Sequence, residues 1–223
     1  MAAEAWLVRA AEGLWGLAGG APTPPRDLNR LLRYGLRLRP IAISHLTLGL
    51  VAQHVPHAGL APVAAERDRR LRGCLVVTLG RRLVFYDPED PEDEQRYTLA
   101  HELAHLWLEV IEPRERVRAL LGEGALQVLD GHRDPTPGER MQAVLHRVSL
   151  HRPLHLLERD GELGITQGGI LLAEERADRL AVELLAPQDE ARRVLPLPRA
   201  SFAEWLKLAS GQIVEQFRLP PAL

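Results

Sequence analysis

Residues 98–110 read TLAHELAHLWLEV. His101 and His105 stand four apart, Glu102 follows the first of them, and Leu99, Leu103, Leu106 and Leu108 occupy the places around them. On an α-helix, residues four apart share a face, so the two imidazoles converge on one point while the leucines anchor the helix in a core. Neutral imidazoles suit Zn²⁺, and a carboxylate beside an ion-activated water can take its proton. The pattern His-Glu-x-x-His is a known metalloprotease signature, yet alone it also arises in helices that hold no metal. Two readings of the stretch stay open: a zinc helix, and a packed helix carrying two histidines.

A catalytic zinc takes a third protein ligand and keeps a position open for water. Glu109 lies one turn after His105, on the same helix, where it does not easily approach the ion from the other side. Glu112, Glu115 and Glu123 have no distinguishing context. Residues 174–187, EERADRLAVELLAP, differ: Ala173, Ala177, Leu180, Ala181 and Leu184 give a helix one apolar face, and Asp178 falls four after Glu174. Glu174 is the expected third ligand, with Glu175 its rival. Asp178 is expected to accept the free ring N–H of a ligating histidine and fix its tautomer.

With 223 residues, the chain is long enough for one well-buried domain with a sizeable insertion. A net charge of -2 and a pI of about 6.5 offer no chain-wide attraction to nucleic acid or an anionic membrane, so neither is an expected partner. The one cysteine, Cys74, excludes an internal disulfide and fits a reducing, cytoplasmic compartment; it reads as a core residue. In the N-terminal stretch, Glu4 and Glu12 break any signal-peptide pattern, while Trp6, Leu7, Ala10, Leu14, Trp15 and Leu17 recur at helical spacing.

Further along, Asp27 caps a short helix that Gly35 ends, and a strand-like LRLRPIAI follows. Residues 44–57 read as a helix, although Pro56 spoils the spacing of His54 and His57 as a metal pair. The charged run 66–72 is a solvated turn or edge strand. GCLVVTLGRRLVFYDP reads as a hairpin turning at Gly80 to Arg82, and the acids of DPEDPEDEQ suit the positive end of the helix that follows. A helix is expected from Pro113 to about Asp130, closed by Gly131, then another around residues 139–150. Pro153 separates His151 from His155, which read as packing or surface residues. One or two short helices are expected after residue 201. The class is α+β, mainly helical, with a small sheet beside the quoted helix.

The residues resemble the ImmA/IrrE-type zinc metallopeptidases. QRYTLAHELAHLWL is similar to that family's R-[FY]-T-[LI]-A-H-E-[LI]-[GA]-H, and EERADRLAVELLAP to its E-x-E-A-[ND]-x-F-A-x-x-L-L-[MA]-P. Strict matches cover about thirty residues and looser ones about half the chain. The resemblance implies a single zincin-like domain over 1–223, with His101, His105 and Glu174 as zinc ligands, Glu102 as catalytic base and Asp178 as the acid behind a ligand. It implies a cytoplasmic endopeptidase that cleaves regulatory proteins, such as helix-turn-helix repressors or antitoxins, in stress response and transcription regulation. About 68 residues separate His105 from Glu174. The family's gap is a few tens, so a helical insertion is expected around 112–168. The sensory C-terminal domain that some relatives carry is not expected in this chain.

The expected reaction is attack of zinc-activated water on a peptide carbonyl, with Glu102 as general base. The oxyanion donor stays open among Tyr97, Arg179 and the insertion, and the sequence assigns no oligomeric state. The rival reading is a regulatory module that binds a transcription factor without cutting it; the intact Glu102 argues against that.

Overall fold

A computed structural model describes residues 4–55, 68–78, 81–150, 167–188 and 190. The expectations for His57, the turn at Gly80, His151, His155 and the C-terminal helices fall outside those residues.

Helix α1 (Ala5–Gly16) buries Leu7, Ala10, Ala11, Leu14 and Trp15, a stripe at three- and four-residue spacing. Leu17, expected on that face, lies just past the last turn and is exposed. Helix α2 (Leu28–Arg30) starts where the Asp27 carboxylate accepts the Asn29 N–H at 2.9 Å, and it runs on as a π turn to Gly35. The strand expected next shrinks to β1 (Ile41–Ala42). Arg37 takes a positive φ and Pro40 has no N–H to give a ladder, so little of that stretch can pair. Helix α3 (Leu48–His54) is likewise shorter than expected: the Thr47 hydroxyl accepts the Leu50 N–H, and the residue before Pro56 is steered away from helix.

Strands β2 (Gly73–Thr78) and β3 (Arg81–Tyr86) pair antiparallel with Leu75 opposite Val84, and β1 joins β3 in parallel, giving the order β1-β3-β2. Alternation sends Leu75 and Val84 into the main core, and sends Cys74, Val76 and Phe85 into a second cluster with Leu46 and Val51. Burial raises the Cys74 thiol to about 12, as suits a core residue rather than a reactive one.

Helix α4 (Glu92–His105) opens with Glu92, Asp93 and Glu94 in its positive first turn. It continues through a π turn (Leu106–Ile111) into α5 (Glu112–Leu121). Pro113 accounts for the widened turn: in a regular α-helix its ring would meet the carbonyl of residue 109 and leave it without an N–H. The helix expected to reach Asp130 breaks at Gly122, whose φ of 85° an L side chain resists. A 3₁₀ turn (Glu123–Ala125) leads into α6 (Leu126–Leu129), and α7 (Pro137–His146) starts on a capping box between Thr136 and Glu139. Val117, Ala125, Leu126 and Leu129 form their own small core with Leu121, Val148 and Leu150.

Helix α8 (Gln167–Leu185) buries Ala177, Leu180, Ala181, Leu184 and Leu185 against the main core, and its most extensive contact is with α4. The fold is thus α+β and mainly helical, with a three-stranded mixed sheet beside the His-Glu-x-x-His helix. Among the described residues, no helix is long and apolar enough to cross a membrane.

Candidate metal centre

Ala100, Leu103, Ala104 and Leu106 are fully buried. They fix the rotation of α4, so that His101 and His105, interleaved with them, face α8. The two rings meet edge to face with centroids 4.7 Å apart, and their Nε2 atoms lie 3.0 Å from each other. On α8 the stripe Ala177, Ala181, Leu184 is extended toward solvent by Glu174, one turn earlier. Its Oε2 lies 3.3 Å from His101 Nε2 and 3.5 Å from His105 Nε2. Of the two rival acids, Glu174 is the one that joins the histidines: His101, His105 and Glu174 form the group of donor atoms within 4.8 Å of one another, and Glu175 is not in it.

These separations test whether the residues fit an ion. Ligand atoms about 2.0–2.2 Å from a tetrahedral zinc stand about 3.4 Å apart. The three edges of 3.0, 3.3 and 3.5 Å bracket that value. Two imidazole nitrogens and a carboxylate oxygen are also a donor set suited to a first-row divalent ion. The side chains present fit a metal.

Behind each imidazole stands a carboxylate. His101 Nδ1–H donates to Asp178 Oδ1 at 2.9 Å, and the Tyr97 hydroxyl donates to the same oxygen at 2.8 Å. His105 Nδ1–H donates to Glu109 Oε1 at 2.6 Å. A carboxylate on Nδ1 selects the tautomer whose Nε2 lone pair faces the cluster. For the side chains alone, burial disfavours the charged imidazolium of His101. The bonds to Asp178 and Glu174 outweigh it and push the group up to about 10. His105 is raised in the same way, with burial opposed by its bonds to Glu109 and Glu174. Burial tends to raise Asp178, but its bonds from His101 and Tyr97 hold it below the usual carboxylate range.

Glu102 faces the sheet and is only 6% exposed. The Leu75 N–H on β2 donates to its carboxylate, while Oε2 has no hydrogen-bond partner among the described residues. Burial is the largest influence and raises its pKa; the neighbouring histidines pull the other way. A glycine makes room for it: a Cβ at position 73 would stand 3.1 Å from Glu102 Oε1 and closer still to Thr98 Cγ2. The metal side of the site meets solvent along α8, where the Glu174 and Asp178 side chains are 36% and 54% exposed, against 1% for His105.

Glu109 is no direct ligand of the cluster; its four-residue spacing from His105 is the sequence signal for the contact it makes. Gly73 carried no local signal, because strand and helix approach each other across the fold. Of the two oxyanion candidates named from sequence, Tyr97 is engaged by Asp178. Arg179 pairs with Glu4 at 2.9 Å and lies over the Trp6 ring.

Residues 59–121 match the peptidase family model described as the IrrE N-terminal-like domain. The match takes in His101, Glu102 and His105 and ends before Glu174. Neither the curated proteins nor the solved structures contain a match to the chain.

Proposed function

The chain is of the ImmA/IrrE metallopeptidase type, and on that premise we propose that it is a zinc-dependent endopeptidase acting in the cytoplasm on a regulatory protein of the helix-turn-helix repressor or antitoxin class. The observation that carries the reading is the convergence of His101 Nε2, His105 Nε2 and Glu174 Oε2 at ligand spacing. The substrate class rests on the family resemblance. The stretch 112–168 is read as an insertion that shapes what reaches the site.

When bound, zinc supplies Lewis acidity, which activates water and polarises a carbonyl. The protein does the rest. Asp178 and Glu109 hold the two imidazoles in the tautomer that offers Nε2 to the ion. Glu102 takes the proton of the attacking water at Oε2, which has no partner among the described residues, as the water oxygen bonds to the peptide carbon. It then passes that proton to the departing amine nitrogen as the C–N bond breaks. Leu75 N–H keeps the carboxylate aimed through both transfers.

Glu102→Gln tests this. With a helix-turn-helix repressor as substrate, the variant is expected to cleave about 10²–10⁴-fold more slowly while binding zinc and melting like wild type. Cleavage at the wild-type rate would overturn the assignment of Glu102. Intact repressor with zinc-loaded wild type, alongside a stable complex of the two, would favour the non-cleaving module.

A further inference from the structure

We propose that Glu109 is a positioning residue of the metal centre, holding His105 for the ion as Asp178 holds His101. This rests on the metal reading above and extends it to a residue outside the ligand set.

Three observations carry it. First, Glu109 Oε1 lies 2.6 Å from His105 Nδ1, a charge-assisted distance shorter than the 2.9 Å between His101 and Asp178. Second, the His105 side chain is 1% exposed and Glu109, 26% exposed, stands between its ring N–H and solvent, so removing the carboxylate costs that donor its charged acceptor. Third, Glu109 sits in the π turn that Pro113 imposes. The same widened turn that ends the regular ladder of α4 carries the carboxylate that orients His105. The two imidazoles are therefore fixed from different elements, His101 from α8 and His105 from its own helix. Metal binding draws on the shape of the turn between α4 and α5 as well as on the α4–α8 packing.

The test compares zinc affinity, by competition with a chromogenic chelator, in wild type, Glu109→Gln and Glu109→Ala. Loss of such an outer partner weakens metal binding by about 10–100-fold. Glu109→Ala is expected to fall in that range, with a shifted visible spectrum of the cobalt-loaded protein. Glu109→Gln, whose amide oxygen can still accept from Nδ1–H, should recover part of the loss. Zinc affinity in Glu109→Ala within twofold of wild type, with an unchanged cobalt spectrum, would overturn the inference while leaving the metal reading intact. Wild type that takes up no zinc would overturn both. A measurement on wild type alone guards against misfolding of the alanine variant: long-range ¹H–¹⁵N NMR of the zinc-loaded protein should show His105 protonated on Nδ1. A His105 bound to metal through Nδ1 would overturn the inference equally.

Discussion

The α4–α8 seam and the unit built from α5, α6 and α7 both hold charged side chains in defined pairs, and they do so by opposite means. In the seam, fully buried Ala100, Ala104, Ala177 and Ala181 let two helices approach closely enough for His101, His105 and Glu174 to meet. His105 and Glu102 are enclosed there: His105 meets Glu109 through Nδ1 and His101 and Glu174 through Nε2, while Glu102 accepts from the Leu75 N–H. In the peripheral unit both partners of each pair are partly exposed, with no side chain as enclosed as His105. Arg114 grips Asp130 through two bonds of 2.6 and 2.8 Å, and Arg133 reaches Glu139. The unit also leaves Met141, Val144 and Leu145 more than 60% exposed. Burial makes polar geometry obligatory, as chemistry requires, whereas surface pairs fasten helices at modest gain and tolerate change.

The comparison breaks most directly at Gly73. Adding a methyl there drives a Cβ into Thr98 and against Glu102, the kind of overpacking that costs about 1–3 kcal/mol. Gly73→Ala is expected to lower stability in urea unfolding by that amount and to displace Glu102, cutting activity further than the stability loss explains. Thr98→Ser removes the methyl that the new Cβ meets, so the double variant should regain stability. Gly73→Ala with wild-type stability and activity would show that the seam is not closely packed there.

A smaller effect is expected from Arg114→Ala. Both partners of the ion pair are about a third exposed, so the loss should be about 1 kcal/mol. Hydrogen exchange should quicken in α6 and α7 and stay unchanged in α4 and α8, since the unit has its own core. Equal loss of protection in the seam would mean that the two regions open as one.

What was legible in the sequence follows the same division. His101, Glu102 and His105 could be read because a helix repeats locally, and Glu174 with Asp178 because an apolar stripe oriented them on a second helix. Glu109 has the right spacing for His105, but a pattern of four does not say which ring nitrogen is met. Gly73 was invisible because its neighbours are Thr98 and Glu102, far along the chain. The break at Gly122 and the short β1 escaped for a different reason: each turns on the φ of single residues, Gly122 and Arg37, within otherwise periodic stretches.

The smallest expected effect sharpens the comparison furthest, because it sets one glutamate against another. Burial raises Glu102 in the seam, whereas the bonds from Arg133, with the Thr136 N–H, hold the partly exposed Glu139 down to about 2. A carboxyl lowered in the folded state favours folding once it is ionised. Glu139's contribution is therefore complete above its ordinary value near 4.5 and disappears as the pH falls toward 2. Glu139→Gln keeps an acceptor for the Thr136 N–H and loses only the charge facing Arg133. Near neutral pH, α7 amides in this variant should exchange slightly faster than in wild type. The carboxyl carbon of wild-type Glu139, followed by NMR, should titrate near 2; a midpoint near 4.5 would show that Arg133 does not hold it. The pair at the surface would then add nothing to the start of α7, leaving the capping box and the small core around Val117 to fasten it.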